Sequence, residues 1–258
     1  MGAFDSSGFH RRHGDIALLV AGVALAWTYL IWMAWGMRHM DVAIALMPGM
    51  TNWGPVDLVL VWAMWALMMA GMMLPTAAPM LLAFSATARR VNPPRSPMHA
   101  LAFGMGYLAL WAAFSAAATL LQWGLLECRL VSPMMESTSP WLSGGLLMIA
   151  GAYQLSPWKN KCLAQCRSPL VFLVKEWRPA RRGAFVMGVR HGVFCLGCCW
   201  VLMALLFVLG VMNLLWVMAL TLLVLAEKIL PGARWQLRAS GVGFAAWGLW
   251  LLLGQAAP

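Results

Sequence analysis

Met64-Trp65-Ala66-Leu67-Met68-Met69-Ala70-Gly71-Met72-Met73-Leu74-Pro75 sits inside an apolar run from Val56 to Ser85. A helix needs ~20 such residues to cross ~30 Å of hydrocarbon, so this run reads as a membrane-spanning helix. Similar runs extend from Ile16 to Trp35, Ala100 to Leu126, Trp141 to Leu155, Val193 to Leu209, Met212 to Ile229 and Gly241 to Leu253. Seven segments predict an all-α polytopic transmembrane helix bundle, one integral membrane domain over residues 1–258. The fourth and seventh are short, which leaves six crossings as the alternative.

Composition agrees with this class. Hydrophobic residues make up 62% of the 258 positions and charged residues only 10%, with a mean hydropathy of +0.77. A soluble globule needs more polar surface than that. The formal charge of +10 does not indicate a nucleic-acid partner, because the basic residues fall in short connections between apolar runs and no nucleic-acid motif occurs. Arg11, Arg12, Arg89, Arg90, Arg95, the basic residues from Lys159 to Arg190, Lys228, Arg234 and Arg238 fall on one side of the alternating segments. Only Arg38 and Arg129 fall on the other. The positive-inside rule then places the N-terminus inside and the C-terminus outside. The first run is too long for a signal-peptide core and has Trp32 and Trp35 where a cleavage site would stand. Trp35, Trp53, Trp123, Trp141, Trp158 and Trp235 fall near helix ends, where an indole prefers the headgroup level.

Sulfur is concentrated near the expected cytoplasmic end of the fifth segment, in His191-Gly192-Val193-Phe194-Cys195-Leu196-Gly197-Cys198-Cys199-Trp200, with Cys162-Leu163-Ala164-Gln165-Cys166 preceding it on the same side. On a helix His191, Cys195, Cys198 and Cys199 share a face, and Cys162 and Cys166 are spaced i, i+4. Together they can supply a four-ligand sphere for a soft metal, copper favoured and zinc the alternative. The plainer reading is a cluster of small hydrophobes. A disulfide framework is disfavoured, because Cys128 alone lies outside and the others face a reducing compartment.

Three further groups bear on that site. The connection from Pro157 to about Arg190 contains Leu170-Val171-Phe172-Leu173-Val174, too short to span, which reads as a helix lying in the interface or under the bundle. Gly210-Val211-Met212-Asn213 predicts a tight hairpin that sets Cys195 and Glu227 level in the membrane. Glu227 then reads as a metal ligand, an acceptor for His191 or a proton carrier, with Lys228 as its counter-charge. The alternative is a neutralised pair or a snorkelling lysine. Met64, Met68 and Met72 form one stripe of the second helix, and Met69 and Met73 an adjoining one. They are core packing or a copper(I) relay ending at a proline-opened turn. Met37, His39 and Met40, with Asp41, Met47 and Met50 following, would form an outer copper-accepting vestibule or be buried at the interface. His10, His13 and His99 are scattered and read as solvated.

Met64 to Pro79, Cys162 and Cys166 running into Arg167-Ser168-Pro169-Leu170, Gly192 to Trp200, Gly210 to Asn213 with Trp216, and Glu227-Lys228 together resemble an uncharacterised group of bacterial polytopic proteins described as predicted metal-binding integral membrane proteins. The resemblance implies metal binding and a multi-pass place in the bacterial inner membrane, and names no substrate. The functions that follow are copper transport or delivery, a membrane oxidoreductase using bound metal or thiols, or a non-catalytic assembly factor. The expected partners are the lipid bilayer and a metallochaperone or membrane metalloenzyme. Neither an Asp-Lys-Thr-Gly phosphorylation motif nor a Walker loop occurs, so ATP does not drive transport by this chain.

Overall fold

A computed structural model describes residues 6–38 (side chains 14–36), 53–130, 139–211, 213–230 and 234–254. The expected outer vestibule of Met37, His39 and Met40 lies outside the described side chains. All the regular structure described is helical: α1 Ser6–Arg38, α2 Pro55–Val91, a single 3-10 turn Pro93–Arg95, α3 Ser96–Glu127, α4 Pro140–Leu155, α5 Pro157–Arg167, α6 Pro169–Glu176, α7 Ala180–Ala204, its short continuation α8 Leu206–Leu209, α9 Leu214–Ile229 and α10 Arg234–Gly254.

Serine–proline steps start several of these helices. Proline at the first helical position gives up an N–H that has no intrahelical partner there. The preceding serine caps the turn, as Ser139 does by accepting from Leu142 N at 3.4 Å and Ser156 from Lys159 N at 3.2 Å. Residues 157–190, expected to be mostly connection, therefore fold into α5, α6 and the first turns of α7. The fifth apolar segment is thus a helix that starts at Ala180 rather than Val193, and its cysteines lie in its second half rather than at its start.

Among the described residues five helices are long and apolar enough to cross a membrane: Gly14–Gly36, Pro55–Val91, Pro93–Glu127, Ala180–Leu209 and Arg234–Gly254. The other two expected segments, α4 and α9, have 16 residues each, or about 24 Å of helix against ~30 Å of hydrocarbon. Helix α4 lies antiparallel along α10, with Gly144 against Gly248 and Leu252 and Gly151 against Gly241 and Ala245. The turn after α8 is as tight as expected: Gly210 takes a positive φ of 88°, a conformation open to glycine, and its carbonyl accepts from Asn213 N at 3.1 Å.

One core joins the buried face of α2 (Met64, Trp65, Met68, Met69, Met72, Met73) to Cys195, Cys198 and Cys199 of α7 and Val217, Leu220 and Val224 of α9. A second, smaller one gathers Phe84, Phe103, Phe172 and Met187, with Phe84 stacked on Phe103 at 4.4 Å. Phe172 belongs to α6, which buries Phe172 and Leu173 under the bundle and leaves Leu170 and Val174 exposed. That is the packed short helix expected of this segment.

Helices α3 and α7 run parallel and meet backbone to backbone. Gly106 faces the Phe185 carbonyl, and Gly188 faces the Phe103 carbonyl, in the space a Cβ would take. Without water to drive helices together, close packing at small residues supplies much of the association. Gly188→Ala is therefore expected to destabilise the purified protein by about 1–3 kcal/mol, seen as an earlier denaturation midpoint in detergent. An unchanged midpoint would show that α3 and α7 can separate freely.

Candidate metal centre

The centre is built on α2, α3, α7 and α9. Pro75 has no N–H, so the Gly71 carbonyl loses its helical donor. The Trp27 indole of α1 donates to that carbonyl instead, at 3.2 Å, and α2 continues through Pro75 and Pro79. The proline-opened turn expected here is thus mended by a neighbouring helix. The Met73 carbonyl accepts from Thr76 Oγ1 at 2.9 Å and from the Tyr107 hydroxyl at 3.2 Å.

Cys195 lies at the middle of this group. Its sulfur is 3.1 Å from the Tyr107 hydroxyl and accepts from Lys228 Nζ at 3.0 Å. Lys228 also donates to Thr76 Oγ1 at 2.9 Å. One turn later the Cys198 and Cys199 thiols both donate to the Cys195 carbonyl at 3.0 Å, the back-bonding that small polar side chains make inside helices. The Cys199 and Met73 sulfurs are 4.0 Å apart. All three cysteines and Met73 are buried.

Helix α5 lays two more thiols on this face. Gly197 makes room: the Cys162 sulfur stands 2.9 Å from where a Cβ on residue 197 would be, and Tyr153 donates to the Gly197 carbonyl. Cys166 interacts with Cys198; that hydrogen bond, together with burial, pushes the Cys166 thiol well above the ordinary thiol range. Burial raises the Cys162 thiol, with nearby Cys198 adding to the effect. Both stay protonated near neutral pH, so a metal binding there must expel their protons. Among the described residues no three His, Cys, Asp or Glu side chains are disposed to hold one metal ion together. The thiols converge from two helices without closing the four-ligand sphere that spacing suggested.

The remaining candidates separate. His191 shares the cysteine face of α7 but stacks on Phe103 and Tyr107 and meets Phe172 edge-on, with its Nδ1 lacking a hydrogen-bond partner among the described residues. Glu227 does not pair with Lys228, as the sequence had suggested. Its carboxylate binds Lys159 Nζ at 2.7 Å and accepts from Gln154 Nε2 at 2.7 Å. Its carbonyl accepts from Arg167 Nε at 2.8 Å. Adjacent side chains on a helix point in different directions, so Glu227 turns toward α4 and α5 while Lys228 turns toward α2 and α7. Glu227 makes none of the contacts to His191 proposed from the level argument. Met64, Met68, Met69 and Met72 are buried in the core beside this centre.

Sequence reasoning overlooked Tyr107, Thr76, Gln154 and Lys159. Tyr107 and Gln154 carried a signal, since a polar side chain inside an apolar run requires a partner. Lys159 was hidden by its setting, a basic connection that topology alone explains.

The family model PpoB2, described as a copper chaperone, matches residues 62–251, and the chain belongs to that family. No curated protein and no solved structure matches it. The matched span contains all six cysteines and gives the chain a copper-related role; zinc, the other metal its thiols suggested, gains no support from the match.

The Lys159–Glu227 pair is fully enclosed, so removing one partner strands the other charge. Lys159→Met is expected to cost about 3–5 kcal/mol, whereas Lys159→Met with Glu227→Leu recovers most of that. A double-mutant cycle in detergent measures the difference, and a loss in the double variant equal to the sum of the two single losses would show that the pair is not coupled.

Proposed function

We propose that this copper chaperone family member holds copper(I) as cargo within the plane of the bacterial inner membrane and delivers it to a membrane metalloenzyme. The observation that carries the reading is the sulfur-lined face where Cys195, Cys198 and Cys199 meet Met73 while Cys162 and Cys166 lie against it from α5. Copper(I) is the soft ion that thiolate and thioether ligands suit, whereas zinc asks for a closed tetrahedral set.

The donors also form a gradient. Cys162 and Cys166 are half-buried and Cys195, Cys198 and Cys199 are enclosed, so cargo would exchange at α5 and rest against α7. Met73 is the thioether ligand in this reading, while Met64, Met68, Met69 and Met72 fill the core and His191 packs among aromatic rings. Tyr107 and Thr76 position Cys195 and Lys228. We also place α4 and α9 as short crossings that complete seven, with the N-terminus inside.

Two experiments test this. Protein purified under reducing conditions should carry about one copper per chain, as a single thiol–thioether site requires. Cys195→Ser with Cys198→Ser should remove it, and Met73→Leu, which conserves volume, should weaken retention without loss of fold. Copper content unchanged in the double serine variant would sink the site. Met68→Leu with Met72→Leu should leave copper content intact; a fall there would make the stripe a relay and the protein a transporter. For orientation, a reporter active only outside the cytoplasm should work after Pro258 and fail near Lys161, and activity at Lys161 would invert the bundle.

A further inference from the structure

Lys228 is a buried ammonium, 8% exposed, and among the described residues it pairs with a thiol and a hydroxyl rather than with a carboxylate. Its Nζ donates to Cys195 Sγ at 3.0 Å and Thr76 Oγ1 at 2.9 Å, with the Tyr107 hydroxyl 3.1 Å from the same sulfur. The carboxylate next to it in sequence, Glu227, is held by Lys159 at 2.7 Å on the other side of α9. An enclosed cation needs an anionic partner, and here the groups able to become anionic are thiols.

We infer that Lys228 makes the centre selective for a monovalent soft cation, its ammonium balancing the net negative charge of copper(I) held by two thiolates. This rests on the copper reading above. Cys195, with Cys198 or Cys199, contributes two negative charges, copper(I) returns one positive charge, and Lys228 cancels the remainder; Met73 adds a neutral sulfur. A divalent ion between the same two thiolates is already neutral, so it leaves Lys228 as an uncompensated charge in an apolar bundle. A third thiolate would restore balance for zinc, but among the described residues no three such ligands are placed to hold one ion. The ammonium has no lone pair for the metal and acts through Cys195, so Lys228 is a positioning and selectivity residue rather than a ligand.

The test uses the full chain in detergent, reduced and anaerobic, with copper(I) and silver(I) as monovalent probes and zinc(II) and cadmium(II) as divalent ones, each measured by chelator competition. Lys228→Gln keeps a donor for Thr76 and loses the charge. It should weaken copper(I) and silver(I) binding about a hundredfold or more, the scale of stranding a buried charge, while zinc(II) and cadmium(II) binding holds or tightens. Lys228→Arg should retain the wild-type preference. Equal weakening of both classes in Lys228→Gln, or no change in either, overturns the assignment. Should Lys228→Gln not fold, the wild type decides, since cadmium(II) bound as tightly as silver(I) overturns it as well. Wild-type protein that binds no copper(I) defeats the copper reading itself, whereas wild-type binding with unaltered selectivity in Lys228→Gln defeats only the role of Lys228.

Discussion

Helix α5 is held at both ends by one residue. Near its start Lys159 pairs with the Glu227 carboxylate, and at its end Arg167 donates to the Glu227 carbonyl. Cys162 and Cys166 lie between these two fastenings, so Glu227, through its carboxylate and its carbonyl, fixes the height and rotation at which their thiols meet α7. A polar tie of this kind is costly to bury and, once buried with its hydrogen bonds complete, costly to break. Gln154 completes it by accepting from Lys159 and donating to Glu227 and Ser240, which brings α4 and α10 into the same network.

The next residue does the opposite task. Lys228 leaves α9 in another direction and reaches Thr76, 152 positions earlier in the chain, and the Cys195 sulfur between α2 and α7. Two consecutive residues therefore divide the work: Glu227 secures the half-buried thiols, and Lys228 sets the electrostatics of the enclosed ones. This explains why ionisable groups occur at this level of an otherwise apolar bundle, where each would be unfavourable without a partner.

Much of this was legible in the sequence, and the rest was obscured for physical reasons. Apolar run length gave the helical membrane class, and i, i+3, i+4 spacing put His191, Cys195, Cys198 and Cys199 on one face, because both depend only on local periodicity. The level argument through the Gly210 turn correctly brought the end of α9 to Cys195 but chose Glu227 over Lys228. Depth follows from rise per residue, whereas azimuth depends on how the helices pack. Periodicity also hid the start of α7, since Arg181, Arg182 and Arg190 read as connection although the helix carries them. The Lys159 pair could not be seen at all, because nothing periodic links it to Glu227.

Burial and exchange pull a chaperone in opposite directions. Enclosed thiols exclude water and competing ligands, which favours retention, while delivery requires that one ligand at a time be surrendered to a partner. The bundle separates these demands along α7. Its own cysteines sit in a packed core where Met73 and Tyr107 fix their surroundings, and the two half-buried cysteines belong to α5, an 11-residue helix held by charged contacts rather than by a wide apolar face. Under the proposed function, the elements that release cargo are those whose hold is electrostatic and local, and the elements that keep it are those whose positions the whole core enforces. Copper could then leave through Cys162 and Cys166 without any of the long helices moving.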